Sequence, residues 1–189
     1  AEVADAAGDA GLAVHMDGAR LLNAVVASKV PAADYAAVAD SVWIDLSKGL
    51  GCPVGAVMAG STAFIEDAWI WKQRLGGSMR QSGVLAAAGL YALDNNVERL
   101  ADDHANARRF AELATEIPGI AVDAASVETN IVFLDVSAVG ISAPEISERL
   151  AARSVRIGAM GPDSIRAVTH LDVDRAGVEK AAEALRAVL

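Results

Sequence analysis

Three short apolar runs constrain this chain most: LAVHM at 12–16, SVWIDL at 41–46 and GAVMA at 55–59. Each is too short for a helix of ordinary length and reads as a buried strand. The stretch between the first two runs reads as helical, over 19–29 and again, briefly, over 35–39. Residues 1–9 read as the end of a further helix, stopped by Gly8 and Gly11. Strands separated by helices imply a sheet covered on its faces. With three strands, that sheet is thin and open.

From Ser82 the pattern becomes helical. Leu93, Val97, Leu100, Phe110, Leu113 and Ile117 recur at spacings that fit one helix face, with Asn95-Asn96 as a point of division and Pro118-Gly119 as the stop. Strands are then expected at 120–122, 130–136, 155–159 and 165–170. A helix opened by Ser142, with Glu145 three residues on, separates two of them. Asp174 is expected to cap a last helix whose apolar stripe is Val178, Ala181, Leu185 and Val188. An α/β arrangement thus gives way to an α+β one.

Composition excludes several classes. Apolar residues form 53% of the 189 and charged residues 22%, which is a globular balance. A formal charge of −9 does not suit a nucleic-acid surface. Every apolar run is interrupted by Asp, Lys or Arg before membrane-spanning length, and the first residues lack the basic start and apolar core of a signal peptide. The lone Cys52 forms no internal disulfide, and no Cys/His cluster suggests a metal. A small buried side chain is a better reading of Cys52 than a nucleophile. A cytoplasmic protein without metal, membrane or nucleic-acid partner is expected.

Two segments stand where chemistry is usually found, just past strands. One is His15-Met16-Asp17-Gly18-Ala19-Arg20; the other is Leu46-Ser47-Lys48-Gly49-Leu50-Gly51. Taken singly, an Asp–Arg turn and a surface lysine need no function. Together, at equivalent strand ends, they suggest a site, and the glycines beside Lys48 allow close backbone approach to a ligand. A lysine amine can carry the aldehyde of pyridoxal 5'-phosphate (PLP), and a carboxylate can keep its pyridine nitrogen protonated.

On the wording HMDGAR (15–20), LSKGLGCPVGAVMAG (46–60) and LGGSMRQSGVLAAAGLYAL (75–93), the chain resembles the threonine aldolases, fold-type-I PLP lyases that split β-hydroxy-α-amino acids. DHANA (103–107), TNIVF (129–133) and IRAVTHLDV (165–173) extend the resemblance, and WIDLSKGLG and WKQRLGG resemble the phenylserine aldolase branch. The resemblance implies that Lys48 carries the cofactor and that Asp17 faces the pyridine nitrogen. It implies that Arg20 lies near the cofactor and the substrate carboxylate, and that Arg166 binds that carboxylate. Arg80 matches an arginine that can serve an adjacent subunit. The implied fold is a partial fold-type-I PLP-transferase large domain, with an incomplete, mainly parallel sheet over 1–80. A connecting helical segment over 81–118 and a small α+β C-terminal domain over 119–189 would follow. A homo-oligomer, dimer or tetramer, is expected.

The same resemblance implies what should lie before HMDGAR: the phosphate cradle, a ring stacked on the pyridine and a histidine acting on the substrate hydroxyl. The chain is therefore expected to be a C-terminal portion. It also departs from the family's common wording, with Ser78 in GGS for GGG and Gln73 where many members have Lys. The alternatives are another fold-type-I enzyme, a β-eliminating lyase or aminotransferase, or an inactive fragment unable to hold PLP. For other conspicuous residues the ordinary reading is packing: His104 and His170, Trp43, Trp69 and Trp71. Asp102 and Asp103 read as a solvated helix face, and His15 as pointing away from Asp17.

Overall fold

Helix α1 (Glu2–Asp9) ends where Gly11 turns the chain, with the Leu12 amide donating to the Ala7 carbonyl and Gly11 N to Gly8 O. This is a Schellman closure, and it spends Leu12 on capping the helix. Strand β1 therefore begins three residues later than expected, at His15, and runs to Gly18. The computed structural model describes residues 2–189. Cα packing divides the chain into two compact units, one ending at Glu98 and the other Arg99–Leu189.

In the first unit, α2 (Leu21–Ser28), α3 (Ala32–Ala36), β2 (Ser41–Asp45), β3 (Ala56–Gly60), α4 (Thr62–Arg74) and α5 (Gly83–Asn95) follow β1. Helix α3 starts directly after Pro31, whose ring fixes φ at a helix-compatible value, so it lies earlier than the 35–39 expected. The sheet has the order β1-β2-β3, with β1 parallel to β2 and β2 antiparallel to β3. The expectation of a mainly parallel sheet is corrected for these strands: the sheet is mixed. A parallel pair needs a crossover, which α2 and α3 supply, whereas loop 46–55 holds no helix and turns the chain straight back. Leu46, Leu50, Cys52 and Ala92 form the interior, with Leu22, Ile44, Ala88 and Val97 against them. All five β3 residues are exposed. So are Trp69 and Trp71, each 56% accessible, which corrects their reading as packing residues. Their rings lie under Lys72 and Arg74.

The second unit comprises α6 (Leu100–Thr115), β4 (Ile131–Asp135), α7 (Ala143–Ala151), β5 (Gly158–Ala159), β6 (Ser164–Val168) and α8 (Arg175–Val188). Its sheet is antiparallel, in the order β4-β6-β5. Strict alternation buries Val132 and Leu134 on β4, and Ile165 and Ala167 on β6. These meet Phe110 of α6, Ile146 and Leu150 of α7, and Val178 and Leu185 of α8 in one core. Ser142 and Asp174 cap α7 and α8 as expected, accepting from Glu145 N (3.4 Å) and Gly177 N (2.8 Å). Asp103 is fully buried and paired with Arg99, so its reading as part of a solvated face is corrected. Burial beside that pair lowers the His104 pKa, with the Asp103 charge opposing and Arg108 adding to the shift.

Candidate active site

Strands β1 and β2 approach so closely that a methyl group built on Gly18 would lie 2.1 Å from the Trp43 carbonyl oxygen. Parallel pairing sets Asp17 opposite Trp43 and Gly18 opposite Ile44. Asp17 at the end of β1 and Lys48 just beyond β2 therefore leave the sheet at the same, carboxyl edge. The two strands place a carboxylate and an amine side by side in topology, at the edge where α/β sheets bind ligands.

Each group is held by its own turn. Asp17 Oδ1 accepts from Ala19 N at 3.0 Å, and Arg20, at the entrance to α2, is half-buried. On the β2 side, Asp45 Oδ1 accepts from Ser47 N (2.6 Å) and Lys48 N (3.3 Å). Gly51, at φ +74°, lets its amide reach the Lys48 carbonyl at 3.0 Å, closing the loop around the lysine. Cys52 N then donates to Leu46 O, and its side chain is buried as expected. Burial, followed by the Asp45 charge, raises the Cys52 pKa, so the thiol is a poor nucleophile at neutral pH.

Two contacts of Lys48 escaped the sequence reading. Its Nζ lies 2.6 Å from Asp45 Oδ2 and 5.3 Å from the centre of the Trp43 ring. Burial pushes the Asp45 carboxyl up, but hydrogen bonds from Lys48 and Ser47 and the lysine's charge outweigh it and hold the group below its ordinary value. An Asp three residues before a strand-end Lys was the available signal. His15 is also corrected: two residues from Asp17 on one strand, it shares that residue's face. Its Nδ1 is 2.8 Å from Ser41 Oγ.

The remaining candidates stand on other elements of the chain. Arg80 is exposed in the segment between α4 and α5. Arg166 belongs to the second unit, on the face of β6 opposite the core. It stands between Phe133 and Gly158 in the sheet register, so one neighbour is an exposed ring and the other has no side chain. That leaves the guanidinium room for a planar ligand such as a carboxylate. As a donor set, Lys48 and Asp17 fit two functional groups of PLP, its aldehyde and its basic ring nitrogen.

The profile of the beta-eliminating lyase family matches residues 1–137, and the chain belongs to that PLP-dependent family. The low-specificity L-threonine aldolase of Escherichia coli K12 is 44% identical over 178 residues, 94% of this chain and 51% of that protein. Low-specificity L-threonine aldolase 1 of Arabidopsis thaliana is 41% identical, over 89% of this chain and 47% of that one. Among solved structures, the Leishmania major threonine aldolase superposes with a TM-score of 0.73 at 20% identity, covering 99% of this chain and 55% of the other. A Listeria monocytogenes protein proposed to be an L-allo-threonine aldolase gives 0.79 at 21%, covering 100% and 55%. These structural likenesses establish the fold. The chain spans about half the length of the curated relatives it matches.

Proposed function

We propose that this sequence belongs to a PLP-dependent lyase that cleaves the Cα–Cβ bond of a β-hydroxy-α-amino acid, releasing glycine and an aldehyde. Threonine, allo-threonine and phenylserine are the substrates proposed. The observation that carries the reading is the pairing of Asp17 and Lys48 at one sheet edge, in a chain of this family. Bound PLP supplies the electron sink that stabilises the carbanion left at Cα. Lys48 would hold the cofactor's aldehyde through its amine. Asp17 keeps a proton on the ring nitrogen, without which the sink is weak. Arg166, helped by Arg20, grips the substrate carboxylate through paired hydrogen bonds. Arg80 is assigned to the site of an adjacent subunit in a homo-oligomer. The C-terminal part of a large PLP-binding domain over 1–80, a helical connection over 81–118 and a small α+β domain over 119–189, in a cytoplasmic protein, complete the proposal.

The test is an assay of the protein expressed from its complete coding sequence, following glycine and aldehyde release from the three substrates. Lys48→Ala should abolish turnover, and Arg166→Lys should mainly raise KM, because an ammonium cannot reproduce the fork of a guanidinium. Release of ammonia and a keto acid in place of glycine would favour β-elimination. Undiminished turnover by Lys48→Ala would refute the assignment.

A further inference from the structure

The lysine at the sheet edge is not a free amine. Its Nζ is pinned 2.6 Å from Asp45 Oδ2 and lies 5.3 Å from the centre of the Trp43 ring, both contributed by the strand that leads into it. Asp45 is well covered, its side chain 14% accessible against 38% for that of Lys48. Its second oxygen is fixed by the Ser47 and Lys48 amides, so the carboxylate cannot swing away without losing the turn that shapes the loop. Asp17, by contrast, uses one oxygen on its own turn, through Ala19 N. The two acids at this edge thus have different tasks.

We propose that Asp45 and Trp43 form a latch that holds the Lys48 ammonium whenever the amine is not engaged with an aldehyde, making Asp45 a positioning residue. An amine reacts with an aldehyde only unprotonated and free to approach the carbonyl carbon. That approach requires the ion pair to open. The latch keeps Lys48 aimed along the sheet edge and unreactive toward stray aldehydes, and releases it only to a ligand that engages it there. This meaning for catalysis rests on Lys48 being the cofactor lysine; the latch itself does not.

Reductive methylation with formaldehyde and cyanoborohydride reads the latch without PLP or turnover. The neutral Nζ adds to formaldehyde and both its hydrogens leave with the oxygen as water. Cyanoborohydride then delivers hydride to the carbon while solvent protonates nitrogen. Peptide mapping gives the rate at each lysine, with Lys29, Lys72 and Lys180 as internal references. Lys72 is especially useful, since it sits 5.0 Å from the centre of the Trp69 ring and is absent from every ion pair among the described residues. Lys48 should be the slowest of the four. Asp45→Asn, which keeps the amide acceptor, should speed it by about five-fold, the order expected for losing a partly covered ion pair, and leave the references unchanged. Asp34→Asn, which removes the same charge from an exposed helix position, should change nothing. If Asp45→Asn fails to fold by circular dichroism, Asp45→Ser keeps a turn acceptor without the carboxylate. The proposal is overturned if Lys48 reacts as fast as Lys29 in the parent chain, or if the folded Asp45 variant leaves the ratio unmoved. A faster Lys48 in that variant, beside a full-length protein with no aldol cleavage, would keep the latch and reject the proposed function.

Discussion

Asp45 acts on two residues of very different chemistry, Lys48 by direct contact and Cys52 through its charge. It pairs with the first and, with burial, makes the second harder to ionise. Alkylation of Cys52 by iodoacetamide should therefore be slow at neutral pH, with a pH midpoint above that of an ordinary thiol. Burial is the larger cause, so Asp45→Asn should bring that midpoint down only in part. A midpoint at or below the ordinary value would contradict the packing described here. At this scale the sequence was informative about identity and poor about partners. Lys48 and Asp17 stood out as candidates because each closely follows or ends an apolar run beside glycines, whereas Arg166 was singled out by the family resemblance alone. The burial of Asp103 could not be read, because a DD pair in a helix looks solvated until Arg99, one turn earlier, is seen to cover it. Trp69 and Trp71 misled in the other direction, since large rings predict burial and here lie exposed under cations.

At the scale of elements, two strand starts were misplaced for one physical reason. Leu12 and Val155 both look like strand residues, yet each amide donates back to the preceding helix, to Ala7 and Leu150. In each case the first apolar residue after a helix serves its C-terminal closure, with Gly11 or Ser154 at positive φ making the turn. Strand β5 is left with only Gly158 and Ala159. Helix α4 went unread, although Ser61 caps it by accepting from Phe64 N at 3.2 Å. The caps at Ser142 and Asp174 were legible, because a short polar side chain before an apolar stripe leaves little other choice. Close pairing of β1 and β2 gives this scale its sharpest prediction. Gly18→Ala would force a methyl group into the Trp43 carbonyl, so the strands must part. The variant should lose on the order of 1–3 kcal/mol of stability in urea unfolding, as overpacked sites do. Melting indistinguishable from the parent would show that the approach is looser than described.

For the molecule as a whole, the two units differ in how much interior they own. The second closes a core from three helices and a sheet, whereas the first buries Leu46, Leu50, Cys52 and Ala92 and leaves β3 and many apolar side chains accessible. Large accessible apolar surface is unusual on a protein that stands alone, and the matched relatives are about twice as long. The α/β character of the first unit and the α+β character of the second were readable from the order of short apolar runs and helical stretches. The mixed direction of the first sheet was not, because it depends on whether loop 46–55 folds into a helix, and apolar periodicity is silent about loops. Whether Lys48 carries PLP is settled by chemical mapping. The protein expressed from its complete coding sequence is incubated with PLP, freed of excess, reduced with borohydride and digested. A phosphopyridoxyl group is expected on Lys48, with Lys29, Lys72 and Lys180 recovered essentially unmodified. Label confined to another lysine, or spread evenly while Lys48 stays bare, would contradict that assignment.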